Sequence, residues 1–317
     1  MTYNILASCD NNYIMPCGVM MCSVCESNRD RSFCFHIIID ESVTDTSKTS
    51  LTNIVRKYKA EISFYTLSRN DVLTSLGSEG ISFADNISLP TYYRLLVEAI
   101  LPPPLDKCLY LDCDIVVRGR LDELFTMNLD NCSVGCVPDI SEGITEYYER
   151  LGYPKELGYF NAGVLLINLG YWRSHHLMSQ FVEFYKNHRT RIKQHDQDIL
   201  NYVCRTSKHI LPIKWNAQDG FFLNRCYFDR KKYTEQLSEA EHNPIIVHYT
   251  GIKPWEKQCE NPFKTVFDYY QDKTEWKGLP LVNTRTHFSL KNKLVVAARK
   301  LGIISPKYRS NIKPLIK

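Results

Sequence analysis

The stretch Lys107-Cys108-Leu109-Tyr110-Leu111-Asp112-Cys113-Asp114-Ile115-Val116-Val117 constrains this chain more than any other. A short apolar run leads directly into two carboxylates one residue apart. In extended backbone, residues i and i+2 point to the same side, so Asp112 and Asp114 are expected to converge on one target. Like charges held that close repel unless a cation or a proton sits between them. Oxygen ligands with nothing soft among them favour Mg²⁺ or Mn²⁺, the ions that join protein carboxylates to substrate phosphates. For an isolated Asp-x-Asp the plain alternative is a strand end with two solvated acids. The apolar approach, and partners further along the chain, argue for the cation.

With 317 residues, 44% hydrophobic and 23% charged, the chain has room for one large α/β domain or two small ones. It has no run of about twenty apolar residues, so no transmembrane helix is expected. Met1 to Ala7 carries no basic segment and enters a strand pattern at once, which does not read as a secretory signal. The twelve cysteines do not form a disulfide scaffold pattern in a chain this long. Cys22-Ser23-Val24-Cys25 has zinc or redox spacing, but no second pair lies at ribbon spacing. It lies in an apolar segment, so buried reduced thiols are expected. The net charge of +4 is uneven: from Trp276 onward there are ten Lys and Arg and no Asp or Glu, leaving the preceding residues net acidic. The chain is therefore expected to divide into a mildly acidic body, 1–275, and a basic tail, 276–317. The body has no basic stripe with interleaved aromatics, so nucleic acid is not an expected partner.

In chain order, Tyr3 to Ser8 reads as a buried strand that breaks at Cys9-Asp10-Asn11-Asn12-Tyr13, and a helix follows with Pro16 in its first turn. Phe33 to Ile39 is a second strand, Ser47 to Lys59 a helix, and Ile62 to Tyr65 a third strand. Strands alternating with helices imply a mostly parallel α/β sheet covered on both faces. Ligands on such sheets sit beyond the carboxyl ends of the strands, where Asp10, Asn12 and the two aspartates fall. Both Gly-rich phosphate fingerprints are absent, so a nucleotide here would be held by a metal and polar side chains. Ser88 to Ile100 reads as a helix capped at Ser88 or Thr91 and carrying Arg94. Cys132 to Val137 leads to Asp139. Tyr159 to Asn168 reads as a small-residue turn at Asn161-Ala162-Gly163 before a buried strand. A helix from Tyr171 to His188 precedes the polar cluster Gln194 to Asp198, and Pro244 to Val247 is a late strand ending at His248. Phe288 to Leu301 reads as a helix with Leu290, Leu294 and Leu301 along one side.

Several of these stretches together resemble glycosyltransferase family 8, which includes bacterial lipopolysaccharide galactosyl- and glucosyltransferases and glycogenin. They are Ala7 to Tyr13, Thr91-Tyr92-Tyr93-Arg94-Leu95, Leu109 to Asp114, Phe160-Asn161-Ala162-Gly163-Val164, Asp196-Gln197-Asp198 and His248-Tyr249-Thr250-Gly251-Ile252-Lys253-Pro254-Trp255. They occur in the family's order. The resemblance implies a GT-A fold, a Rossmann-like, mostly parallel sheet flanked by helices, here with a basic C-terminal helical tail. It implies a retaining hexosyltransferase that uses a UDP-hexose donor with Mn²⁺ (or Mg²⁺), acting on a glycan or lipid-linked acceptor in lipopolysaccharide or other surface-polysaccharide synthesis. On that basis Asp112, Asp114 and His248 are the metal ligands. Lys253 and the Gly251 backbone contact the diphosphate, and Asp10, Asn12 and the backbone near Ser8 contact uridine, with Cys113 and Ala162 beside the nucleotide-sugar. Arg94, Asp139, Asn161, Asp196 and Gln197 surround the hexose. Gln197 stands where the family has its far-face group. A neutral amide is a poor nucleophile, so same-face attack is expected, with Asp196 orienting sugar hydroxyls.

Two departures from the family pattern stand out. His248 and Lys253 are five residues apart where the family usually has six, and the middle residue of the Asp-x-Asp is Cys113, whose side chain is expected to face away and take no part. The tail implies peripheral contact of residues 285–317 with anionic lipid, on the cytoplasmic face of the inner membrane. Two other readings compete. A haloacid-dehalogenase-type phosphatase also uses an apolar strand followed by Asp-x-Asp, but it requires a downstream Gly-Asp that this chain lacks. A non-catalytic sugar-nucleotide-binding protein would not require the full set of metal and sugar contacts.

Overall fold

The computed structural model describes residues 2–75, 90–224, 228–283, 290–309 and 312. Strands β1 (Thr2–Cys9), β2 (Ser32–Ile39) and β3 (Glu61–Thr66) alternate with helices α1 (Ile14–Ser27) and α2 (Asp45–Tyr58). Strands β4 (Lys107–Leu111), β6 (Val134–Pro138), β7 (Phe160–Asn168) and β8 (Lys208–Ile210) complete a seven-stranded sheet in the order β3-β2-β1-β4-β7-β6-β8. All its neighbours run parallel except those of β7, which is antiparallel to β4 and β6. The mostly parallel α/β sheet is therefore present, with one reversed strand, β7, beside the central β4. A second sheet joins β5 (Ile115–Val117), β10 (Ile246–His248) and β9 (Ala217–Gln218) in the order β5-β10-β9.

Strand alternation sends β1 and β4 into two separate cores. Ile5, Ala7, Leu109 and Leu111 join one face with α1, whereas Leu6, Cys108 and Tyr110 join the other. Both faces are covered, which is why these strands read as near-continuous apolar runs.

Several expected elements differ in detail. β4 ends at Leu111, so Asp112 and Asp114 lie in a turn rather than on a strand. What makes them converge is that turn, whose Asp112 N–H donates to Gly163 O at 2.8 Å, and not the β-pleat. Asn161-Ala162-Gly163 is not a turn but the start of β7. The register shifts between Cys136 and Val137 of its partner β6, which accommodates the small residues. The helix around Arg94 is broken into Pro90–Tyr93, a 3₁₀ turn Arg94–Leu96, and Val97–Ile100. Its Ser88 cap lies outside the described residues. The helix expected from Tyr171 to His188 is two, Leu169–Ser174 and Leu177–Asn187, separated where His176 takes a φ of 52°. The tail helix spans Leu290–Lys300, and Phe288 lies outside the described residues. The described cysteines, including Cys22 and Cys25, are free thiols.

The described part of the tail returns to the body. Leu223 pairs with Tyr308, and Arg309 N donates to Phe222 O at 3.1 Å. Trp276 packs so closely on Gly18 of α1 that a Cβ there would lie 2.1 Å from the indole ring.

Candidate active site

At the carboxyl ends of β1 and β4, three acceptor atoms face one another. His248 Nε2 lies 3.7 Å from Asp112 Oδ2 and 3.3 Å from Asp114 Oδ1. One ligand atom from each residue falls within 4.8 Å of the others. Each carboxylate spends its second oxygen on the protein. Asp112 Oδ1 accepts from Tyr110 OH at 2.9 Å and pairs with Arg94 at 3.0 Å, while Asp114 Oδ2 accepts from Lys253 Nζ at 2.5 Å. The remaining oxygens are thereby turned inward.

The histidine tautomer follows from the hydrogen bonds behind it. Gly163 N–H donates to Asn161 Oδ1 at 3.0 Å, which orients that amide against a backbone donor. Asn216 Nδ2 then donates to Asn161 Oδ1 at 2.8 Å, leaving Asn216 Oδ1 to accept from His248 Nδ1 at 3.0 Å. With Nδ1 carrying the proton, Nε2 presents a lone pair. Two carboxylate oxygens and a lone pair, with no donor among them, fit a divalent cation of hard to borderline character. Gly163 is required here, because a Cβ would lie 2.2 Å from His248 Cε1 and 2.7 Å from Asp112 Oδ2.

The ion pairs bias the charges in the same sense. Burial alone would raise the Asp114 carboxyl, but the Lys253 ammonium against it outweighs burial and holds it well below the usual carboxylate range. Burial likewise opposes charge on Arg94, yet Asp112 and Asp196 raise its pKa further. Arg94 is the hub. It is buried, stacks over the Tyr110 ring at 4.3 Å, and donates to Ala162 O at 2.6 Å. Its Nε lies 2.9 Å from Asp196 Oδ2 but aims its hydrogen at Thr91 O, so that buried carboxylate oxygen has no aligned donor. Burial pushes Asp196 up to about 7, with Arg94 pulling it down and Asp112 adding to the rise.

Beyond Arg94 the polar cluster continues. Gln197 Oε1 accepts from Ala162 N at 3.0 Å and Asn161 Nδ2 at 3.3 Å, while its Nε2 donates to Asp139 Oδ2 at 3.4 Å and to Tyr159 OH at 3.3 Å. Both ends of the amide are engaged. Asp198, in the same motif, is a structural anchor: it is fully buried and takes two hydrogen bonds from Arg150. It also accepts from Tyr159 OH and from the backbone of Lys193 and Gln194, which fixes the start of helix His195–Val203.

Two clefts flank this cluster. One of about 370 Å³ is lined by Ser8, Asp10, Tyr13, Arg94, Asp112 and Asp114, among others. The other, about 230 Å³, is lined by Asp139, Asn161, Gln197 and Gln218 and their neighbours. Asn12 is not among the residues lining either cleft. Its side chain is exposed and donates to Asp10 Oδ2 at 3.4 Å. Gly251 and Lys253 also lie off both linings. Lys253 reaches Asp114 and Tyr249 O, so the short loop after His248 closes onto the second aspartate. Cys113 turns away from the aspartate side chains and donates to Ser8 O at 3.4 Å.

Sequence reasoning missed Asn216, Tyr110, Tyr13 and Asp219. Asn216 immediately precedes the two-residue strand β9, too short to leave a periodic signal. Asp219 is buried, accepts from Tyr308 OH at 2.9 Å on each oxygen and from Asn261, and lies directly against Gly251, where a Cβ would be 2.5 Å from Oδ2. A residue of the basic tail thus props the loop that carries Lys253.

Asn216→Leu frees the His248 ring to turn over. A Mn²⁺ titration followed by water-proton relaxation should show cation affinity falling about 10- to 100-fold with the fold retained. Unchanged affinity would remove Asn216 from the site.

Comparison with known proteins agrees with this geometry. The chain is 29% identical over 283 residues to a lipopolysaccharide 1,2-glucosyltransferase of Escherichia coli, covering 88% of this chain and 80% of that one. It is 28% identical over 297 residues to a lipopolysaccharide 1,3-galactosyltransferase of Salmonella typhimurium, covering 91% and 83%. Among solved structures it resembles the galactosyltransferase LgtC, in complex with donor and acceptor sugar analogues, with a TM-score of 0.74 and 25% identity over 86% of this chain and 96% of that one. That likeness identifies the architecture as a GT-A fold, and a phosphatase of the haloacid-dehalogenase type is set aside. The family described as glycosyl transferase family 8 matches residues 4–259, and the chain belongs to it.

Proposed function

We propose that this glycosyltransferase moves a hexose, glucose or galactose, from a UDP-sugar to a glycan or lipid-linked acceptor, with retention of configuration, in lipopolysaccharide-type surface-glycan synthesis. The observation that carries the reading is the inward-facing trio of Asp112, Asp114 and His248, with Asp112, Asp114 and Arg94 lining the larger cleft and Gln197 lining the smaller one. Relatives named for glucosyl and for galactosyl transfer support a hexose donor.

In this reading a cation, Mn²⁺ or Mg²⁺, held by the trio would neutralise the diphosphate and stabilise the departing UDP. Asp10 and the Ser8 backbone bind uridine in the larger cleft. Lys253 and the Gly251 N–H would meet the phosphates. Arg94 orients the donor hexose, and the unaligned oxygen of Asp196 accepts a sugar hydroxyl. Asp139 and Asn161 line the smaller cleft, which has room for an acceptor. Gln197, with both amide ends engaged, offers no anionic nucleophile. This favours attack on the face that UDP leaves, with a UDP oxygen taking the acceptor proton. A glycosyl adduct trapped on Gln197 or Asp196 would overturn that route.

The described part of helix Leu290–Lys300 and the residues after it expose Leu294, Leu301, Ile303 and Ile304, while Val296 packs inward. Among the described residues no helix is long and apolar enough to cross a membrane. This surface supports peripheral binding of the tail to anionic lipid on the cytoplasmic face of the inner membrane.

Three measurements test these readings. UDP release from a panel of UDP-hexoses should require a divalent cation and fall at least 100-fold in Asp112→Asn, without p-nitrophenyl phosphate turnover; release indifferent to both would refute the transferase reading. Asp196 is protonated below about 7 and loses its acceptor role as pH falls. The kcat/KM should therefore climb with pH through neutrality, and Asp196→Asn should lower it and flatten that acid limb. Lastly, sedimentation with phosphatidylglycerol vesicles should weaken several-fold in the double variant Leu294→Ser/Leu301→Ser, with UDP-sugar hydrolysis intact. Equal sedimentation would end the membrane proposal.

A further inference from the structure

Behind the Asp112–Asp114 turn lies a second convergence of ligand atoms, of opposite chemical character. The sulfurs of Cys9, Cys17 and Cys113 all lie within 4.8 Å of one another. Each comes from a different element: Cys9 ends β1, Cys17 sits in the first turns of α1, and Cys113 is the middle residue of the turn. All three are buried free thiols, with exposures of 2%, 0% and 4%. A disulfide could use only two of them. The pair that the sequence singles out, Cys22 and Cys25, does not join this or any other such cluster among the described residues, and Cys22 Sγ instead meets Tyr58 OH at 3.5 Å.

The structure assigns Cys9, Cys17 and Cys113 as a three-sulfur site for a thiophilic divalent cation of the zinc class, separate from the oxygen–imidazole site on the other side of the same turn. Zinc–sulfur bonds of about 2.3 Å place tetrahedral sulfur ligands about 3.8 Å apart, so closing on a cation needs movement of only about an ångström. An all-sulfur donor set selects against Mg²⁺ and Mn²⁺, while the Asp112, Asp114 and His248 set suits them. Cys9 and Cys113 also line the larger cleft, which supplies the route in and a water for the fourth position. A bound cation would tie the end of β1 and the start of α1 to the residue between the two aspartates. The nucleotide side and the cation side of the cleft would then move as one piece. The assignment rests on the thiols alone and stands whether or not the donor is a UDP-sugar.

Cd²⁺, which reports sulfur ligation by ultraviolet charge transfer, tests it on the reduced full-length protein in excess Mg²⁺. One equivalent should bind with a thiolate band, and ¹¹³Cd NMR of the unaltered protein should give a shift characteristic of three sulfurs. Cys113→Val and Cys17→Val should each weaken binding about 100-fold or more, while Cys22→Ala/Cys25→Ala leaves it unchanged. Zn²⁺ should raise the melting temperature of the unaltered protein and not of the Cys17→Val variant. An ¹¹³Cd shift for oxygen and nitrogen ligands, or a thiolate band abolished by Cys22→Ala/Cys25→Ala, would overturn the assignment. The NMR result decides the matter even if a valine variant fails to fold.

Discussion

Two carboxylates aimed at one point repel, and at about 4 Å with an effective dielectric near 20 that repulsion is about 4 kcal/mol. Around Asp112 and Asp114 much of the local architecture answers this cost. Arg94 and Tyr110 hold one oxygen of Asp112 and Lys253 holds one of Asp114, while the His248 Nε2 lone pair joins the two remaining oxygens as a third acceptor that only a cation can satisfy. The residual negative charge is concentrated where a divalent cation can take it up. Breaking one of these partners would leave a carboxylate partly buried and unmatched, a costlier state than never having built the pair.

The same constraint explains the small residues. β7 runs antiparallel beside β4 and brings Gly163 under the imidazole, where a side chain would collide with both His248 and Asp112. Asn161, two residues earlier, orients Asn216 and through it the ring. Arg94 meanwhile links Asp112 to Asp196 and Ala162, so the cation side and the sugar side share one buried guanidinium. Such a hub couples the two halves electrostatically. A charge arriving at Asp112 changes what Arg94 can offer Asp196.

The basic tail has two aspects that composition alone does not separate. Its exposed leucines and isoleucines face outward, yet Tyr308 is buried against Asp219 under the Gly251 loop, and Arg309 pairs with Glu241. The tail therefore contributes to the packing of the loop that holds Lys253. Cys113 shows a similar doubling: its side chain leaves the aspartates, as the sequence suggested, and finds two other sulfurs.

Much of the fold was readable because periodicity is local. Continuous apolar runs at Tyr3–Ser8, Phe33–Ile39 and Lys107–Leu111 identify doubly covered strands, and helices between them make the sheet mostly parallel. The motif residues Asp112, Asp114, His248, Arg94 and Gln197 carry their chemistry in their identity and order. What the sequence could not determine depends on contacts between distant segments. The aspartates converge through a turn pinned to Gly163 rather than through a pleat, because β4 ends one residue before them. Nothing near Asn216 marks it as the partner of His248, and Cys9, Cys17 and Cys113 have no spacing that signals a shared site. Single residues on separate elements leave no period or motif in the chain. Only the packing of β1, α1 and the β4–β5 turn brings them within reach of one another.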